Sequence, residues 1–159
     1  MVVSTGVGGG IISDGRLLDG HTGNSGHIGH VNVVPDGREC KCGARGCLEA
    51  VASGTAIETM TGRPAAQASP AVVEQTGVYV GRAIASVAAL LDLRLAVVGG
   101  SVALGFGEPF FVAAQREVDR YARIRFVRGV RVRPTGLGAD APLVGAAAVA
   151  RRASSPTVN

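Results

Sequence analysis

All three cysteines of the chain fall in one short run, Cys40-Lys41-Cys42-Gly43-Ala44-Arg45-Gly46-Cys47. A CxC pair with a third thiol five residues on converges on one point, and an odd thiol count does not suit a disulfide framework. Three thiolates need one more donor to close the tetrahedron that Zn²⁺ prefers, and imidazole is the usual choice. The three histidines all lie just upstream: His30 is the nearest, with His21 and His27 as competing ligands. A site closed by Cys40, Cys42, Cys47 and a histidine leaves no position for water. The spacing therefore predicts a structural zinc loop, which fits a reducing compartment. It follows the glycine-rich stretch 6–10 and runs directly into Leu48-Glu49.

The remaining composition narrows the class. At 159 residues the chain is long enough for a single domain with a substantial core. Gly at 24 and aromatics at 4% point to tight turns and close backbone packing. The net charge of +4 rests on arginine, with Lys41 the only lysine. The basic stretch 116–133 is interrupted by Glu117 and Asp119 and ends in the alternating Val130-Arg131-Val132-Arg133, which describes a solvated face rather than a nucleic-acid surface. No apolar run approaches the roughly 20 residues of a membrane span. Met1-Val2-Val3-Ser4 lacks the basic flank of a leader, and the expected location is cytoplasmic.

Along the chain, Val2-Val3 reads as a short buried strand entering the glycine loop. Ile11-Ile12-Ser13 and Arg16-Leu17-Leu18 form a hairpin across Asp14-Gly15. Residues 20–30 are glycine-punctuated loop, Val31 to Val34 a brief strand, and Pro35-Asp36-Gly37 a turn. A helix is expected from Cys47 to about Ser53, a loop over 61–70, and a long helix from about Ala71 to Leu91. Leu95 to Val98 is a buried strand ending in Gly99-Gly100-Ser101. Glu108 to about Arg123 is helical, Val130 to Arg133 a strand, and Leu143 to about Arg152 a last helix begun by Pro142. Residues 153–159 are expected to be a disordered tail. Alternating helices and strands after a hairpin give an α/β fold.

Two glycine segments could meet a polar ligand. Thr5-Gly6-Val7-Gly8-Gly9-Gly10 lacks the lysine of a Walker loop, and Ile11 replaces the third glycine of a dinucleotide fingerprint. Its exposed N–H groups and the Thr5 hydroxyl still suit phosphate. A tight hairpin without any ligand is an equally good reading. Gly99-Gly100-Ser101 follows a buried strand and could open onto the same crevice. Glu49 reads either as a substrate ligand or as a first-turn carboxylate facing the helix dipole.

Taken together, these segments resemble the carboxyl-terminal half of the ROK family of repressors, open reading frames and sugar kinases, which includes bacterial glucokinases. The resemblance rests on residues 4–12, on the GxxGxxGxxGH-like stretch at 20–30, and on CxCGxxGCxE at 40–49. It extends through Val97 to Val102 and Leu143 to Ala147. It implies an actin-like, ribonuclease-H-like lobe over residues 1–152, with a mixed sheet, flanking helices and a zinc loop at 27–49. It further implies ATP-dependent, Mg²⁺-assisted phosphoryl transfer to a hexose, and homo-oligomers. By motif, Thr5, Gly6 and Gly8 lie near the ATP phosphates and Gly99, Gly100 and Ser101 near the nucleoside. His30 and Glu49 face the sugar, and His30 joins Cys40, Cys42 and Cys47 on the zinc.

Two departures stand out. His27 occupies a place where the family usually has a sugar-gripping Glu. The family's DxGGT hairpin and catalytic Asp belong to an amino-terminal lobe, and none of Asp14, Asp19, Asp36, Asp92, Asp119 or Asp140 stands in such a motif. No catalytic residue is therefore assigned here, and negligible turnover is expected of this chain alone. The last helix, which in the family packs toward the other lobe, is expected to expose an apolar stripe over Leu143 to Val149. A sugar-sensing repressor domain and an inert remnant are the alternative readings.

Overall fold

The computed structural model describes residues 1–154. The chain opens with β1 (Val2–Val3), which turns through Ser4-Thr5-Gly6 and returns as β2 (Val7–Gly8), with Val3 opposite Val7. The glycine stretch is thus half strand rather than all loop, because its alternate backbone groups pair with β1. A second hairpin follows, β3 (Ile12–Ser13) and β4 (Arg16–Leu17), closed by Asp14-Gly15 at φ of 50° and 72°. Positive φ at both positions is the two-residue turn whose twist matches the strands.

Residues 31–34 do not form the expected strand. After a turn of 3₁₀ helix at Ile28–His30, they wrap the cysteine loop, with Asn32 bridged to Cys47 and the Val33 amide donating to the Gly46 carbonyl at 2.9 Å. The helix expected from Cys47 to about Ser53 is present, and a second helix that the sequence reading passed over follows it directly. α1 (Glu49–Ala52) stops at Ser53, whose extended backbone lets its hydroxyl cap α2 (Gly54–Thr61) at the Ala56 amide, 3.0 Å. The expected loop at 61–70 contains one 3₁₀ turn, Ala65–Gln67.

Ser69 and Pro70 start α3 (Pro70–Leu91), and Asp92 in the left-handed region ends it. β5 (Leu95–Val98) leads through Gly99-Gly100 into α4 (Ser101–Phe106), a short helix the sequence reading passed over. α5 (Glu108–Tyr121) then packs along α3. Gly77 and Gly81, one turn apart on α3, allow that approach: a Cβ at either would collide with the α5 backbone at Phe110 or Ala114. β6 (Arg131–Pro134) lies parallel to β5, with Ala96 beside Val132.

β1 also reaches β5. The Val3 amide donates to Gly99 O at 2.8 Å and the Gly99 amide to Met1 O at 3.0 Å. The strand order is therefore β2-β1-β5-β6, a mixed sheet, and α/β is the fold class. Val3, Val98 and Val132 on the sheet bury themselves with Val80, Ile84, Phe110 and Val118 from the helices. Burying such side chains contributes about 1.5–3 kcal/mol each.

α6 (Ala141–Ser154) closes the described chain and begins and ends slightly outside the expected limits. Ala153 and Ser154, assigned to a disordered tail by sequence, continue this helix, and the rest of that tail lies outside the described residues. Among the described residues, no helix is long and apolar enough to cross a membrane.

Candidate metal centre

The cysteine loop is a small hairpin stitched by its own backbone. The Cys40 amide donates to Ala44 O, the Gly43 amide to Cys40 O and the Gly46 amide to Arg38 O, all at 2.8–2.9 Å. Gly43 and Gly46 take φ of 90° and 76°, and a Cβ on Gly46 would strike the Val34 carbonyl. These turns bring the free thiols of Cys40, Cys42 and Cys47 toward one another, with Cys40 and Cys47 buried and Cys42 exposed. The 3₁₀ turn at residues 28–30 delivers His30 from the other side. Asn32, which sequence reasoning missed, fastens the two segments by donating its amide to Arg45 O at 2.8 Å.

The four donor atoms of His30, Cys40, Cys42 and Cys47 lie within 4.8 Å of one another. Cys42 Sγ is 3.7 Å from Cys47 Sγ, and Cys40 Sγ is 3.8 Å from His30 Nδ1. Metal–sulfur bonds of about 2.3 Å at the tetrahedral angle would set two sulfurs about 3.8 Å apart. The cluster thus has the size of a Zn²⁺ tetrahedron and the donor chemistry to match. Its thiols pull in opposite directions. Burial pushes the Cys47 thiol up to about 12, with its sulfur neighbours adding to the shift. The Ala44 backbone holds the Cys42 thiol below its usual value, with help from Cys40. A buried thiol shifted that far stays protonated at neutral pH unless a cation displaces its proton. His21 and His27 fall outside this cluster.

The cluster abuts the glycine hairpin through Glu49. The Glu49 Oε2 accepts the Val7 amide at 2.5 Å, and its Oε1 sits beside Gly6. Glu49 is half-buried, so the first-turn position at α1 and the link to the hairpin are both real. With Nδ1 turned to the thiols, the Nε2 edge of His30 faces away from the cluster. The His27 ring lies nearly parallel to it, 6.0 Å between centroids and 15° between planes. Glu49 Oε2 also lies beside Gly29, the residue before His30.

The second glycine segment joins the first. Ser4 Oγ and Ser101 Oγ are 2.8 Å apart, so Gly99, Gly100 and Ser101 adjoin the hairpin carrying Thr5, Gly6 and Gly8. The start of α2 backs it: the Gly54 amide donates to Ser4 O at 2.7 Å and the Thr55 hydroxyl to Thr5 O at 3.1 Å. The cue for that support was Ser53-Gly54, a helix-start pair at the point where the expected helix ends.

Comparison with known proteins agrees with this arrangement. The ROK family model matches residues 1–153. The chain is 44% identical over 122 residues to an N-acetylmannosamine kinase of Citrobacter koseri, covering 67% of this chain and 42% of that protein. Among solved structures, the ROK hexokinase from Thermus thermophilus superposes with a TM-score of 0.79 at 36% identity, over 93% of this chain and 55% of its own. A ROK family glucokinase from Streptomyces griseus, in complex with glucose and AMPPNP, gives 0.79 at 29% identity, over 95% and 59%. The chain spans about half the length of the relatives it matches. The glycine hairpin, the histidine turn and the cysteine loop, in this order and across nearly every residue, make this chain a member of the ROK family.

Proposed function

We propose that this chain is the sugar- and zinc-binding lobe, spanning residues 1–152, of an ATP-dependent sugar kinase with an actin-like fold. The observation that carries the reading is Glu49, whose carboxylate bonds the glycine hairpin at Val7 while standing next in chain to the cysteine loop. One residue thereby couples a phosphate-type loop to the turn that carries His30. His30, Cys40, Cys42 and Cys47 would hold Zn²⁺, which when bound cross-links the loop and fixes the His30 ring.

In this reading His30, His27 and the free oxygen of Glu49 orient sugar hydroxyls. Thr5, Gly6 and Gly8 present backbone N–H groups to the phosphates, and Gly99, Gly100 and Ser101 border the nucleoside. Phosphoryl transfer forms a bond from a sugar oxygen to the γ-phosphorus and breaks the β–γ bridge, with the hydroxyl proton passing to a carboxylate base. That base is assigned to the half of the relatives this chain does not span, so turnover by this chain alone is negligible.

The N-acetylmannosamine kinase relatives, at 41–44% identity, favour a 2-acetamido hexose over glucose as the sugar, and favour a kinase over a sugar-sensing regulator. His27 fits a pocket that differs from the carboxylate-gripped one. Calorimetry on zinc-loaded chain tests this. Binding of N-acetylmannosamine at least about tenfold tighter than glucose is expected, and Glu49→Gln should weaken it by about tenfold or more through a lost charge-assisted hydrogen bond. A folded, zinc-loaded chain that binds no sugar contradicts the reading.

A further inference from the structure

The three thiols of the cysteine loop differ in what can reach them. Cys40 and Cys47 are buried, 4% and 1% exposed, while Cys42 stands exposed at the tip of the hairpin. Lys41, Gly43, Ala44 and Arg45 around it are exposed as well, so the approach from water is open on that side. A small solute therefore meets one sulfur of the cluster first, that of Cys42.

The sulfur it touches behind belongs to Cys47, with 3.7 Å between the two Sγ atoms. A disulfide needs about 2.05 Å, so the pair must close by about 1.7 Å. Cys42 is the end with room to move: a Cβ placed on the adjoining Gly43 would meet nothing within 4 Å. Cys47 is held, bridged to Asn32 and followed by the fully buried Leu48. The chain between them includes Gly43 and Gly46, both already in left-handed turns, and can follow the closure. Cys40 is a poorer partner for Cys42. Its Sγ meets His30 Nδ1 at 3.8 Å, and a disulfide across the single intervening residue Lys41 departs from relaxed geometry.

We propose that Cys42 is a modification site for small peroxides, and that Cys47 resolves the product into a Cys42–Cys47 disulfide. The Cys42 sulfur attacks one peroxide oxygen; an S–O bond forms, the O–O bond breaks and hydroxide leaves. The Cys47 sulfur then attacks the Cys42 sulfur, forming the S–S bond and expelling a second hydroxide. Two thiolates give up two electrons to the peroxide, and two protons from solvent turn the hydroxides into water. The consequence rests on the zinc reading of the loop. His30 and Cys40 are then the donors left, two short of the tetrahedron Zn²⁺ takes, so the ion is released and the His30 ring loses its anchor. A small thiol reverses the step by exchange at the disulfide.

The test treats zinc-loaded chain with hydrogen peroxide, following released zinc with a chromogenic chelator and mapping disulfides by mass spectrometry of unreduced peptides. Loss of about one zinc per chain, in step with a Cys42–Cys47 cross-link, is expected, and dithiothreitol with added zinc should restore both. Cys42→Ser should slow oxidation of Cys47 by about tenfold or more, because the buried thiol is then reached only directly. A cross-link through Cys40, sulfinic acid at Cys42 with no cross-link, or equal oxidation of Cys47 in the variant overturns the proposal. So does zinc retained beside the disulfide. The same map on chelator-treated chain separates this proposal from the metal reading. The Cys42–Cys47 link is expected there too, and a chain that forms it without ever binding zinc supports the modification site while contradicting the metal reading.

Discussion

Gly46 carries more of the candidate metal centre than its lack of a side chain suggests. It holds a left-handed φ of 76° with its α-carbon against the Val34 carbonyl, and its own carbonyl accepts the Val33 amide. Gly46→Ala is therefore expected to displace Cys47 and weaken zinc binding by about 10–100-fold, measured by chelator competition. The Cys47 thiol sets the pH response. Its pKa is raised in the folded chain to about 12, so the metal-free fold keeps a proton there that the unfolded chain releases at ordinary thiol pH. Unfolding is then favoured as pH climbs from about 8.5 toward 12, and the melting temperature of metal-free protein should fall over that window. With zinc the sign reverses below neutrality. Ligand thiols must lose protons to bind metal, so stability should rise between about pH 5 and 7. Thermal melts with and without chelator across pH would show two opposed slopes, and parallel slopes would refute the account.

At the scale of elements, the cysteine loop is tied to the helical layer through one arginine. Arg82 on α3 pairs with Glu117 of α5 at 2.7 Å and donates to Val33 O at 3.2 Å, so the α3–α5 pair and the segment leading to Cys40 share a fastening. The Glu117 side chain is only 5% exposed. Removing its partner leaves a nearly buried charge, and Arg82→Ala should destabilise the fold by roughly 2 kcal/mol. That lies below the range for fully buried pairs because Arg82 keeps about a third of its side chain in water. Denaturant titration measures it, and Glu117→Gln in the Arg82→Ala background should recover part of the loss. Gly81→Ala is expected to cost about 1–3 kcal/mol by forcing α3 away from Ala114 and Glu117.

Elements whose cues are local were legible in sequence. Asp14-Gly15 gave the hairpin turn, the apolar repeat gave α3, and Leu95 to Val98 gave β5. Elements settled by distant partners were not. Residues 31–34 have strand composition but follow the curvature of the cysteine loop. Val7-Gly8 pair as a strand only because β1 lies beside them. α2 was passed over because its start, Ser53 capping the Ala56 amide, coincides with the end of the helix before it.

For the whole molecule, donor type and spacing pointed directly to the three thiols that the fold gathers with His30, while His21 and His27 stayed open as the fourth donor until the geometry was known. It could not supply the supports of Asn32, Thr55 and Arg82, which depend on tertiary placement. The expected apolar stripe on the last helix is present: Leu143, Val144 and Val149 on α6 are exposed by 73, 46 and 61%. An unpartnered apolar helix face promotes association. Sedimentation should show self-association that grows with concentration, and a Leu143→Glu, Val149→Glu variant should shift the chain toward monomer. A monomer at every concentration would contradict that expectation.

One Zn²⁺ ion held by His30 and the three thiols is the central proposal for this chain. X-ray absorption at the zinc edge, on protein purified without chelator, addresses it directly. It predicts one zinc per chain with three sulfurs at about 2.3 Å and one nitrogen at about 2.0 Å, and loss of one sulfur in Cys42→Ser. A folded chain free of zinc, or a shell of oxygen and nitrogen alone, would contradict it.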